Sequence, residues 1–198
     1  MQEPSALIVH HRLLILDLNG ILIHRRYEKN LDLEPPPGAY REGNFFVWLR
    51  PGLKDFLNYI FEHFEVAVWS SAAKHNLDPL VKEVFGKYYE GLLFVAHQDY
   101  CQKIAPPKAR DMTNGKTTKP LFLKNLDKVW AFSTLKNRYN AKNTLIIDDS
   151  DEKMVNNPKE CHFNPGMWTV NDPTGNEALF PGGTIRTRLA QYIEASNK

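Results

Sequence analysis

An α/β fold with a doubly wound, mainly parallel sheet is predicted by three features of this chain. Short aliphatic runs recur and stop abruptly at carboxylates or hydroxyls, and stretches with helical apolar spacing separate them. The third is bulk: 198 residues, 42% hydrophobic and 24% charged, suit one soluble domain with a full core. A net charge of only +2 argues against a general nucleic-acid binder, and a monomer without direct nucleic-acid contact is expected. No apolar run approaches the roughly 18 residues of a membrane span. The N-terminus lacks the basic-then-apolar pattern of a signal peptide, so the expected location is intracellular, nuclear or cytoplasmic. Cys101 and Cys161 have no metal-ligand spacing and read as free thiols of a reducing compartment. No internal repeat or low-complexity tract interrupts the chain.

The first run, Leu-Leu-Ile-Leu-Asp-Leu-Asn-Gly-Ile-Leu from Leu13 to Leu22, reads as a buried strand that delivers the Asp17 carboxylate to its C-terminal end. Open α/β sheets bind their ligands at that edge. An aspartate held there serves as a nucleophile or as a metal ligand, while Asn19 and Gly20 let the chain turn behind it. The same letters also spell a plain strand with an Asn-Gly turn. Residues 24–44 are polar and turn-rich, with three prolines before Gly38, and are expected to form a loop or loose hairpin that acts as a flap over the site.

Residues 45–49 form a short apolar strand, and Arg50-Pro51-Gly52 opens a helix whose apolar stripe is Leu53, Phe56, Leu57, Ile60, Phe61 and Phe64. Residues 65–69 are a second buried strand that ends in Ser70 and Ser71. A helix closed by Gly86 follows, so a hydroxyl stands near a helix N-terminus, which makes either an anion site or a simple cap. Residues 92–96 read as another strand. Residues 97–119 read as a polar, mildly basic insertion outside the sheet. Lys119 and Lys124 flank the returning segment, either solvated or aimed at phosphate. From Asn143 to Ser150, three aliphatic residues deliver Asp148 and Asp149 to a strand end, where adjacent carboxylates either favour a cation between them or cap a helix. A last helix follows Gly182-Gly183, with Ile185, Leu189, Tyr192 and Ile193 turned inward.

Taken in order, Leu-Asp-Leu-Asn-Gly-Ile-Leu, Leu-Arg-Pro-Gly-Leu-Lys-Asp-Phe-Leu with Val-Trp-Ser-Ser-Ala, Phe-Leu-Lys-Asn-Leu and Leu-Ile-Ile-Asp-Asp-Ser resemble the four motifs of the haloacid dehalogenase superfamily. Within it they resemble the RNA polymerase C-terminal-domain phosphatases and NLI-interacting-factor-like proteins. The resemblance spans roughly Leu13 to Ile193 and implies a haloacid dehalogenase-like fold without a large cap. It implies an Mg²⁺-dependent phosphoserine or phosphothreonine protein phosphatase with Asp17 as nucleophile, Ser70 on the phosphate oxygens and Lys124, or less directly Lys119, neutralising the aspartyl-phosphate. Asp17, the backbone carbonyl of Asn19, Asp148 and Asp149 would hold Mg²⁺. Ser70, Ser71, Arg50 and the flap tyrosines Tyr27 and Tyr40 are the expected contacts to a phosphorylated protein or peptide. One position departs from the pattern: Asn19 stands where the family has its general acid, an aspartate. An amide donates no proton, so low or rerouted activity is expected, with His24 or a metal-bound water as substitutes. A catalytically weak phosphopeptide-binding or scaffold protein is the alternative.

Overall fold

The computed structural model describes residues 12–104 and 120–196. Along the chain, β1 (Leu13–Leu16) leads to β2 (Ile23–Tyr27), β3 (Ala39–Glu42) and β4 (Phe45–Leu49), then to α1 (Leu53–His63), β5 (Glu65–Trp69), α2 (Lys74–Phe85) and β6 (Val95–Ala96). An antiparallel pair, β7 (Gln102–Ile104) with β8 (Leu121–Leu123), precedes α3 (Leu126–Trp130), β9 (Thr144–Ile147), α4 (Asp151–Met154), β10 (His162–Phe163) and α5 (Thr184–Ser196). The main sheet has five strands in the order β10-β9-β1-β5-β6, and every pairing in it is parallel.

Why β1 lies at the centre follows from its composition. All four of its residues are aliphatic and fully buried, which only a strand covered on both faces permits. Leu14 and Leu16 pack with Phe56 of α1, Leu80 of α2 and Ile185 of α5. Leu13 and Ile15 face the other way, toward Leu126 and Val129 of α3 and Met154 of α4. Each such side chain contributes about 1.5–3 kcal/mol when fully buried. The winding is lopsided: helices of 11 to 13 residues cover one face, and the labelled helices on the other have four or five.

Two expectations change. Residues 24–44 are not a loose loop: β2 and β3 pair antiparallel with both edges of β4 to make a three-stranded sheet. Its amphipathic alternation is hidden because arginines occupy both faces, Arg25 over Phe45 on one and Arg26 and Arg41 over Phe46 on the other. The strand expected over 92–96 is shorter, with ladder residues only at Val95 and Ala96 and a 3₁₀ turn over Gly86–Gly91 before it. Of the expected insertion, residues up to 104 form a short 3₁₀ turn and β7, and residues 105–119, Lys119 among them, lie outside the described residues.

Candidate active site

Register brings the carboxylates together. Leu16 is level with Val68 of β5 and with Ile147 of β9, so Asp17 and Asp148 leave neighbouring strands side by side. Ser70 lies one residue beyond that level on β5. Oxygens of Asp17, Asp148 and Asp149 all fall within 4.8 Å of one another. Asp148 is fully buried and Asp17 nearly so. Gly20 makes room for this cluster: it has φ +84°, and a Cβ there would stand 2.3 Å from Asp149 Oδ2.

Three buried acids cannot stay ionised together without cations nearby, and two lysines supply them. The Lys124 ammonium, withdrawn from solvent, bonds to Asp148 Oδ2 and lies 3.5 Å from Asp17 Oδ2. The Lys153 ammonium donates to Asp148 Oδ1 and Asp149 Oδ1, each at 3.0 Å, and to Asp17 Oδ2 at 3.3 Å. Burial opposes ionisation of Asp148, but the two ammonium groups outweigh it and hold its carboxyl below the ordinary value. Asp149 goes the other way. Burial, together with the charges of Asp17 and Asp148, outweighs Lys153 and pushes its carboxyl up to about 6. The three acids raise the Lys153 ammonium above its usual range despite its burial.

Lys153 and Asn157 escaped the sequence analysis. Lys153 is one helical turn after Asp149, the i,i+4 spacing at which a lysine reaches back, and that was the available signal. Asn157 holds the Lys124 segment by its backbone, donating to Lys124 O at 2.7 Å and accepting from Leu126 N–H at 2.9 Å. No local pattern announces such a role.

The other expected residues divide. Ser70 is buried, and its Oγ accepts from Ala72 N–H at 3.3 Å; α2 begins only at Lys74, so the hydroxyl sits in the preceding turn and does not cap the helix. Ser71 is half-buried in the same turn. Asn19 Oδ1 accepts from Arg25 N–H at 3.0 Å, which ties the start of the flap to the loop behind Asp17. Arg50, expected at the substrate, is instead a fastener: Nη1 donates to Ile21 O at 2.8 Å, and Nε and Nη2 donate to Gly175 O at 3.0 and 2.7 Å. Tyr40 packs against the main core with its hydroxyl buried, whereas Tyr27 is exposed and edge-on to Phe45. His24 stacks on Trp48, on the face of β2 opposite Arg25, which removes it as a stand-in for the missing acid. A cavity of about 230 Å³ beside β6, lined by Trp69, Phe94, Phe132 and Leu135, is apolar and excludes all three acids.

The donor set suits a small divalent cation. Three converging carboxylates are hard oxygen ligands of the kind Mg²⁺ takes, and the Lys153 ammonium already sits between all three acids. Among the described residues no helix is long and apolar enough to cross a membrane.

Known proteins resemble this chain to different extents. An FCP1 homology domain-containing protein of Schizosaccharomyces pombe is 31% identical over 154 residues, 75% of this chain and 58% of the relative. A CTD phosphatase-like protein of Invertebrate iridescent virus 6 is 25% identical over 141 residues, 70% of this chain and 72% of the viral one. The fold matches that of a fission yeast RNA polymerase II CTD phosphatase, an Fcp1 variant bound to beryllium fluoride, with a TM-score of 0.53 at 18% identity over 95% of this chain and 50% of the other. The chain therefore spans little more than half the length of the fission yeast relatives. The family model for NLI interacting factor-like phosphatases matches residues 12–181, and to that family the chain belongs.

Proposed function

We propose that this chain is an Mg²⁺-dependent phosphatase for phosphoserine or phosphothreonine in proteins, working through an aspartyl-phosphate on Asp17. The observation that carries the reading is the position of Asp17 Oδ2, within 3.5 Å of two ammonium groups and beside two further carboxylates. An Asp17 oxygen attacks phosphorus, the bond from phosphorus to the ester oxygen breaks, and the alkoxide takes a proton from solvent. Water then attacks the phosphorus of the acyl phosphate, releasing inorganic phosphate and restoring the Asp17 carboxylate. Lys124 neutralises charge on the phosphoryl oxygens, and Asp148 keeps that ammonium in place. Mg²⁺, held by Asp17, Asp149, Asp148 and the Asn19 carbonyl, would supply further charge neutralisation. The fission yeast neighbour is named for acting on the polymerase tail, and that supports a protein substrate here.

One observation favours a second reading, a phosphopeptide binder with little turnover. Asn19 spends its side-chain oxygen on the Arg25 N–H and has no acidic proton for a leaving alkoxide. Hydrolysis of an aryl phosphate and of a phosphopeptide panel, with and without Mg²⁺, separates the two. The phosphatase reading expects Mg²⁺-dependent release of phosphate that disappears in Asp17→Ala, and activity surviving that substitution would refute it.

A further inference from the structure

The flap's inner face carries a cation that the mechanism above leaves without work. Arg25, Val47 and Tyr40 form one row across β2, β4 and β3. Val47 is fully buried in the main core, so the row faces the body of the protein, and His24 and Trp48 occupy the opposite face. The Arg25 guanidinium lies 4.6 Å from the Phe45 ring centroid, backed by a flat apolar surface. Its Nη1 is withdrawn from solvent and has no hydrogen-bond partner among the described residues. The Tyr40 hydroxyl in the same row is also buried and unpartnered among them. Through its own backbone N–H, Arg25 is hooked to Asn19, two residues past Asp17. Burial lowers the guanidinium pKa, and the opposing influence on it is the Asp17 charge.

Buried donors without acceptors are costly, and a charged one more so, unless something else arrives to accept. Among the described residues the three carboxylates of the cluster are already engaged with lysines. A planar guanidinium stacked on a ring is suited to two oxygens of a phosphate. The charges also fit. Among the described residues, with Arg25 counted, three cations stand with three carboxylates, so a divalent metal would leave the charge that a phosphate dianion cancels. We propose that Arg25 is a ligand of the substrate's phosphoryl group, donating to its oxygens from the flap side. This rests on the phosphatase reading above and adds to it a phosphate contact that the sequence analysis did not assign.

Calorimetric titration of a phosphoserine peptide and its unphosphorylated twin, in Mg²⁺, tests it on an Asp17→Asn background that prevents turnover. Against that parent, adding Arg25→Gln is expected to weaken phosphopeptide binding by about 10- to 100-fold, with Arg25→Lys between the two. Binding of the unphosphorylated peptide and the melting temperature should stay as in the parent. With Asp17 intact, Arg25→Gln should weaken inhibition by inorganic phosphate by a similar factor. Undiminished phosphopeptide affinity in Arg25→Gln would overturn the inference and leave the phosphatase reading standing. Equal loss for both peptides together with a lower melting temperature would make Arg25 a mere support of the flap. A parent that does not distinguish the two peptides would bring down the phosphatase reading, and this inference with it.

Discussion

Arg50 and Lys124 are both buried cations, 3% and 0% exposed, yet they belong to regions of opposite character. Arg50 lies under the junction of β4 and α1, and its guanidinium donates to two backbone carbonyls, Ile21 O and Gly175 O, and lies 5.5 Å from the Trp168 ring centroid. Burial alone lowers its pKa, to about 10. Lys124 lies at the ends of β1 and β9 and meets ionisable carboxylates. The difference teaches how to read a buried charge. Against neutral dipoles, it fastens chain to chain; against converging charges, it is poised for a ligand that changes their balance.

The comparison is broken most severely at Lys124. Lys124→Met leaves Asp148 with half of its compensation and is expected to cost about 3–5 kcal/mol in urea unfolding, while turnover disappears. Arg50→Met should cost about 2–4 kcal/mol, because the carbonyls of buried Ile21 and half-buried Gly175 lose this donor, yet the folded fraction should bind phosphopeptide as before. If phosphopeptide affinity falls and stability does not, Arg50 belongs with the site after all. Asn19→Asp sharpens the contrast from the chemical side. The carboxylate can still accept the Arg25 N–H, and steady-state hydrolysis should rise by about 10²-fold as a proton donor returns. An inert Asn19→Asp protein that binds phosphate and Mg²⁺ normally would favour the binding reading.

The smallest effect is a pH dependence at Asp149. Its folded value, about 6, lies above the ordinary 3.8, so the native protein holds this proton more tightly than the unfolded chain does. Relative to a neutral residue, Asp149 costs nothing below about pH 4 and becomes a penalty as pH rises through 6. Asp149→Asn should therefore stabilise the metal-free protein by about 1–3 kcal/mol at pH 7.5 and leave it unchanged at pH 4, measured by thermal unfolding. Equal stabilisation at both values would show that charge is not the cause.

These two regions were unequally legible in the sequence. The strand ends carrying Asp17 and Asp148-Asp149 stand out because a fully buried strand is written as aliphatic letters, so a charge at its end breaks the pattern. Lys124 was named through the motif around it and Lys153 was not, although the i,i+4 relation to Asp149 was available. Arg50 was expected at the substrate, and its backbone contacts were hidden for a physical reason. Its carbonyl partner at Gly175 is 125 positions away, and nothing local distinguishes a guanidinium that fastens backbone from one that grips a ligand. The flap was read as a loop or loose hairpin because cation–π stacking lets arginines cover both faces of a small sheet, which erases the alternation that reveals strands.

The all-parallel pairing of the central sheet has a consequence for assembly. Lys153 and Asp17 are separated by 136 positions, and β1 finds β9 only after the intervening strands and helices have somewhere to go. Chains dominated by such distant pairings pass their rate-limiting barrier slowly, because the entropy of loop closure is lost before any contact repays it. The acids would meet when β9 docks on β1. A newly made chain would thus carry most of its hydrophobic interior before it possesses a reaction centre, and refolding traces should show catalytic competence lagging behind the recovery of buried tryptophan fluorescence.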